Sequence, residues 1–168
     1  MDKIKWCAKK GLILIEPNKS LSDSYLVKAK EALESIELNK HKDWKISTAY
    51  YTLYFSLYSI LTKIGLKCEI HSCTLEFARR FLDDHFDKEE FEFLEDSLKA
   101  RIDSLYYTDR SIPDEHYNKM LSEAPEFYVK CKSILVSLNE NKIKDIRKKF
   151  LLALKTKSKR NSYRLHKH

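Results

Sequence analysis

Seventeen consecutive residues without a charge, Ile46 to Thr62 (ISTAYYTLYFSLYSILT), set the strongest limit on what this chain can fold into. Such a run is either a membrane span or a helix enclosed by its own protein. It falls short of the roughly 20 apolar residues that cross a bilayer comfortably. Ten of the seventeen are Ser, Thr or Tyr, and hydrocarbon offers their hydroxyls few partners. The run therefore predicts the central helix of a bundle, apolar nearly all round because neighbours cover it. The rest of the chain must supply those neighbours. With 2 Gly and 3 Pro in 168 residues, it has too few turn formers for a many-stranded fold, so the neighbours are helices.

Their boundaries are marked. GLILI near the N-terminus admits a short strand or an extended lead-in, and EPNKS reads as a loop. Ser20 or Ser22 can cap a helix to about Asn39, where Leu21, Tyr25, Leu26, Ala29, Ala32, Leu33 and Ile36 recur at helical spacing. Asp43 caps the charge-free helix and Gly65 stops it. LKCEIH is a connector. Ser72 opens a third helix, and Asp87 caps a fourth that runs to about Tyr107. Pro113, Asp114 and Glu115 suit the first turn of a fifth helix toward Leu138, which Pro125 should kink or split. A further amphipathic segment follows, KIKDIRKKFLLALKTK. The expected fold class is all-α: an up-and-down bundle of four to five helices with a basic, helical C-terminal extension. Its expected parts are a lead-in over 1–19, the bundle over 20–141 and the basic arm over 142–168.

Charge is distributed unevenly. Residues 142–168 hold eleven Lys or Arg against Asp145 alone, a balance of +10. Subtracted from the chain total of +7, this leaves the first 141 residues at −3. A basic arm on a mildly acidic body favours a polyanionic partner, although a solvated tail has the same composition. Cys7, Cys68, Cys73 and Cys131 are scattered without a CxxC pair, and the N-terminal apolar run is too short for a signal peptide. Free thiols and a cytoplasmic location are the expectation, with no membrane association.

The stretch AYYTLYFSLYSILTKIGLKCEIHS has the form of the second helix and following loop of HEPN domains. KARIDSLYYTDR, followed by APEFYVKCKSIL, resembles the later helices of the same family in its archaeal stand-alone branch. The likeness spans roughly residues 20 to 138. It implies a small helical bundle of toxin–antitoxin or defence systems, and many HEPN members are metal-independent ribonucleases. Their hallmark is an Arg followed four to six residues later by His. RSIPDEH, Arg110 to His116, fits that spacing, with Ser111 where Asn or Asp is more usual. RIDSLY, Arg101 to Tyr106, stands where a related branch has Arg, an acid and Tyr. It has no His, and Leu105 replaces the acid.

Metal-free RNA cleavage needs a base for the 2′-hydroxyl and a cation for the charged phosphorane. His and Arg suit these tasks. On one continuous helix Arg110 and His116 would diverge by about 120°. They can converge only if the chain breaks between them, and Pro113 offers the break. Otherwise Arg110 caps a helix end and His116 is an exposed first-turn residue. Arg101 could equally be tied up by Glu95, Asp96 or Asp103. His71, in CEIHSC, invites a zinc reading with Cys68 and Cys73. That spacing belongs to no standard module, so no metal and no cofactor are expected. Tyr50, Tyr54, Phe55 and Tyr58 read as core, with hydroxyls reaching polar partners at its edge. Tyr163 among Arg160, Arg164 and Lys167 is compatible with single-stranded nucleic acid.

The leading expectation is a HEPN-like endoribonuclease acting as a homodimer. Arg110, His116 and Arg101 would be its catalytic residues, and Tyr106, His71, Arg160 and Arg164 would bind substrate. The alternative is a catalytically silent module that binds a nucleotide or a nucleotidyltransferase-type partner protein. A purely structural oligomerisation domain is the third reading.

Overall fold

The computed structural model describes residues 2–156. Seven helices and two short strands follow in the order α1 (Lys3–Lys9), β1 (Ile13–Leu14), α2 (Lys19–Leu38), α3 (Lys42–Ile64), β2 (Leu66–Lys67), α4 (His71–Phe81), α5 (Lys88–Tyr106), α6 (Asp114–Ser137) and α7 (Glu140–Lys155). The expected all-α class is the one observed. β1 and β2 pair antiparallel, Ile13 opposite Lys67 and Leu14 opposite Leu66.

The charge-free segment is α3, and it is the axis of the molecule, packed by α2, α5 and α6. Fifteen of its residues are buried. The hydroxyls that argued against lipid are satisfied internally. Thr52 Oγ1 bonds the Thr48 carbonyl, Ser56 Oγ that of Thr52, and Thr62 Oγ1 those of Tyr58 and Ser59. This is back-bonding one turn earlier, which removes the desolvation penalty of a buried hydroxyl. Ser22 Oγ on α2 bonds the Ser59 carbonyl at 2.7 Å, which ties the two helices at a fully buried point. No helix among the described residues is long and apolar enough to cross a membrane.

The ends follow local chemistry. Asp87 and Glu90 form a reciprocal capping box on α5, both bonds at 2.8 Å. Gly65 closes α3 with φ of +84°, a left-handed geometry that disfavours any side chain. Arg147 of α7 clasps this turn, its Nη1 within 3.0 Å of the carbonyls of Ile15, Ile64 and Gly65. α6 begins directly after Pro113. Pro125 does not split α6. Buried Met120 and Ala124 anchor the helix before it, and buried Phe127 and Cys131 after it.

Two regions outside the expected bundle share its core. α1 contributes Ile4 and Cys7, and α7 contributes Ile143, Ile146 and Phe150, to one contiguous cluster. The expectation of free thiols fails for two cysteines: Cys7 on α1 and Cys73 on α4 form a disulfide across 66 residues of sequence. The scattered spacing hid it because only the docking of α1 on α4 brings the sulfurs together. Cys68 and Cys131 are free and buried.

Candidate functional site

The chain turns at Gly65, pairs briefly as β2, and runs back along α3 to start α4 at His71. This return places His71 against the N-terminal half of α3. Its Nδ1 lies 2.7 Å from the Tyr50 hydroxyl. Its ring stacks on Tyr54 with centroids 4.0 Å apart and planes within 8°. α5 brings Arg101 to Tyr50 as well, and to its neighbour Tyr51. Arg101 Nη2 donates to the Tyr51 hydroxyl at 2.7 Å, and the guanidinium carbon sits 5.2 Å from the Tyr51 ring centre and 5.9 Å from that of Tyr50. Cation–π attraction and one fixed hydrogen bond hold the arginine in place.

Electrostatics sharpen this cluster. Burial, and secondly the Arg101 charge, push the His71 pKa below its ordinary value, which keeps the ring neutral near neutral pH. Burial pushes the Tyr50 and Tyr54 phenols well up, so both stay protonated. The Tyr50 hydroxyl is therefore a lasting hydrogen-bond partner for His71 Nδ1, and it orients the ring whichever tautomer is present.

Arg101 differs from the other described arginines. Arg79 pairs with Glu95, Arg80 with Asp2 and Arg110 with Asp103, while Arg147 serves three carbonyls. Two of the acids that could have neutralised Arg101, Glu95 and Asp103, are thus engaged elsewhere. Among the described residues no carboxylate lies within ion-pair reach of Arg101, and its Nε is sealed from solvent without a partner. A half-buried guanidinium without a counter-ion is an anion site in waiting.

The other expected residues fall elsewhere. Arg110 lies flat on Tyr107, 3.6 Å from ring centre, with Nη1 on the Asp103 carboxylate. His116, in the first turn of α6, faces a groove shared with Asp96, Lys99, Asp103 and Ile112. Its ring is edge-on to Phe93, and Nε2 is sealed and unpartnered among the described residues. Arg110 and His116 thus flank one acid, Asp103, with Arg110 committed to it. Tyr106, at the end of α5, is 68% exposed and free to meet a ligand or another chain. Arg160 and Arg164 lie outside the described residues. The Cys68–His71–Cys73 zinc set is closed off because the Cys73 sulfur is bonded to Cys7.

Tyr51 is the member that sequence reasoning missed. It adjoins Tyr50 on α3 and is only half-buried, so the signal available was a doubled tyrosine in a helix otherwise one residue deep in core.

No family model matches this chain. It is 26% identical over 114 residues to a protein of Methanocaldococcus jannaschii named "Putative toxin MJ0142", an alignment covering 67% of this chain and 78% of that one. That likeness is compatible with a toxin-type function.

Proposed function

We propose that this chain is a toxin-type, HEPN-like protein that acts on RNA as a metal-independent endoribonuclease, with Arg101 and His71 at the centre of its site. The observation that carries the reading is the unneutralised Arg101 guanidinium held beside a neutral, oriented histidine. Arg101 binds the scissile phosphate and balances the charge that builds on it. In the tautomer with the proton on Nδ1, that nitrogen donates to the Tyr50 oxygen. Nε2 then accepts the proton of the 2′-hydroxyl as its oxygen attacks phosphorus. The P–O5′ bond breaks, leaving a 2′,3′-cyclic phosphate, and the departing 5′-oxygen takes a proton from a general acid or water. A homodimer suits this chemistry. Ile102 and Tyr106 are exposed one turn apart on α5 beside Arg101, and they offer a second copy an apolar contact. His116 and the basic residues Arg160 and Arg164 assist RNA binding in this reading.

A second reading rests on one observation: Arg110, the arginine with the right spacing to a histidine, is occupied by Asp103. This favours a silent module that binds a nucleotide or a nucleotidyltransferase-type partner through Arg101. One experiment separates the two. The purified full chain is incubated with structured RNA in excess EDTA, beside Arg101→Met, His71→Gln and an Arg110→Ala/His116→Ala variant. Cleavage lost in the first two and kept in the third supports the site at Arg101. Loss only in the third moves the site to Arg110 and His116. Equal background in all four eliminates the nuclease and leaves the binding module.

A further inference from the structure

α7 presents a second face that the bundle does not use. Ile143, Ile146 and Phe150 bury its inner side. Lys144, Lys148 and Lys155 follow at helical offsets of four and seven, on one flank about 100° wide shared with Leu151 and Leu152. All five side chains are exposed. None of the three lysines has a hydrogen-bond or ion-pair partner among the described residues, and Asp145, which borders the flank, is taken by Lys149. The stripe is therefore cationic without a compensating acid. Lysine-rich α1 lies alongside, with Lys5 donating to the Thr156 carbonyl at the end of α7. From there the chain continues into residues 157–168, which hold five Lys or Arg and no acid.

We infer that this stripe is a phosphate-tracking surface for single-stranded RNA, distinct from the Arg101–His71 site. The inference rests on the RNA reading above and adds where the substrate is gripped. An RNA strand meets a body whose first 141 residues sum to −3, so one unneutralised arginine cannot supply the attraction alone. Each lysine–phosphate contact releases condensed counterions and supplies it. The stripe is also remote from the site. Arg147, in the middle of α7, sits at the Ile64 end of α3, whereas Arg101 and His71 sit at Tyr50–Tyr54. At 1.5 Å per residue that is about 15–20 Å along α3. Only a strand several nucleotides long engages both. An anionic bilayer is the competing occupant. Two half-exposed leucines give it little to hold, since even a whole acyl chain anchors marginally.

The test is fluorescence anisotropy of a labelled 20-nucleotide RNA in a NaCl series. It compares the full chain, a Lys144→Gln/Lys148→Gln/Lys155→Gln variant, and a control carrying Lys19→Gln/Lys30→Gln/Lys40→Gln on and after α2. Thermal melts confirm that both variants fold. The α7 variant is expected to bind at least about tenfold more weakly at low salt, with a log–log salt slope shallower by about 2, while the control keeps the native slope. Equal losses in both variants, or an unchanged slope for the α7 variant, overturn the stripe while leaving RNA binding standing. No binding by the unmodified chain overturns both. If the α7 variant keeps RNA affinity but loses sedimentation with phosphatidylglycerol vesicles, the surface belongs to lipid.

Discussion

Replacing Gly65 by Ala is the most demanding test of how the site is positioned, because this residue turns the chain back toward His71. The native φ of +84° costs an L-residue roughly 1–2 kcal/mol. A Cβ there would also stand 2.4 Å from Arg147 Nη1, 2.5 Å from the Ile15 carbonyl oxygen and 2.7 Å from the Pro17 nitrogen. Two of these three atoms are backbone, so no rotamer change relieves the contact. Arg147 must leave its three carbonyls or β1 must move away, with loss of the 2.8 Å bond from Ile15 N to the Gly65 oxygen. Forfeiting one charge-assisted bond costs about 1.5–3 kcal/mol. Together the two effects predict a loss of about 2.5–5 kcal/mol.

Urea denaturation followed by circular dichroism measures it, with an unchanged m-value as the sign that only stability has moved. Gly65→Asn separates the causes. Asn tolerates the left-handed region better and meets the same atoms, so its loss should be smaller by the strain alone. Gly65→Ala in an Arg147→Met background should cost less than the sum of the single changes, because the clash with Nη1 is gone. A loss below about 1 kcal/mol for Gly65→Ala, or strict additivity of the pair, would refute the clasp as described.

Three further outcomes are expected. Reducing Cys7–Cys73, or replacing both by Ser, should lower stability by about 4 kcal/mol, the loop-closure value for a 66-residue separation. Denaturation with and without dithiothreitol reads it, and a difference under about 1 kcal/mol contradicts it. His71 and His85 both titrate below the ordinary histidine value of 6.5, chiefly because partial burial penalises the charged ring, so the unfolded chain takes up protons first. Their contribution to stability is complete above about pH 6.5 and is lost as pH falls through the folded values. His71→Gln should flatten the fall in urea stability between pH 7 and pH 5, and an unaltered curve speaks against it. A chain ending at Thr156 should melt like the full chain. One ending at Asn141 loses buried Ile143, Ile146 and Phe150 and should not fold, since a single Phe truncation costs 3–5 kcal/mol. Matching melting curves for the two truncations would show that α7 is dispensable.

What the sequence revealed and what it hid divide along contact order. α3 was legible because its burial is written in one uninterrupted run, and α5 because Asp87 marks its start. Gly65 was legible as a stop because few other residues end a helix that way. The disulfide, the Arg147 clasp and the Arg101–Tyr51 bond join residues 66, 132 and 50 positions apart. No local pattern encodes such pairs. α1 is seven residues long with two buried side chains, too few for a period to emerge. Arg110 illustrates the limit of motif spacing. It lies six residues before a histidine, yet Asp103 lies seven residues before it, and the acid takes the guanidinium.

The contrast between the two arginines follows from what surrounds them rather than from their spacing. Arg110 is exposed beside a carboxylate and on an aromatic ring, so its charge is balanced and its planar face covered. Arg101 rests on phenols, which attract a cation without neutralising it. Phenols were available there because α3 fills its helix-facing positions with tyrosine, whose rings fill core volume and whose hydroxyls reach its edge. Tyr50 is almost wholly buried, yet its oxygen holds His71. Tyr51, one residue on, is half-buried and holds Arg101. The feature that argues against a membrane span, hydroxyls within an apolar run, is thus the feature that mounts a cation and a neutral imidazole on the most deeply buried helix of the fold. A cluster built this way has its geometry fixed by core packing, so under the proposed reading an anionic ligand need only complete it.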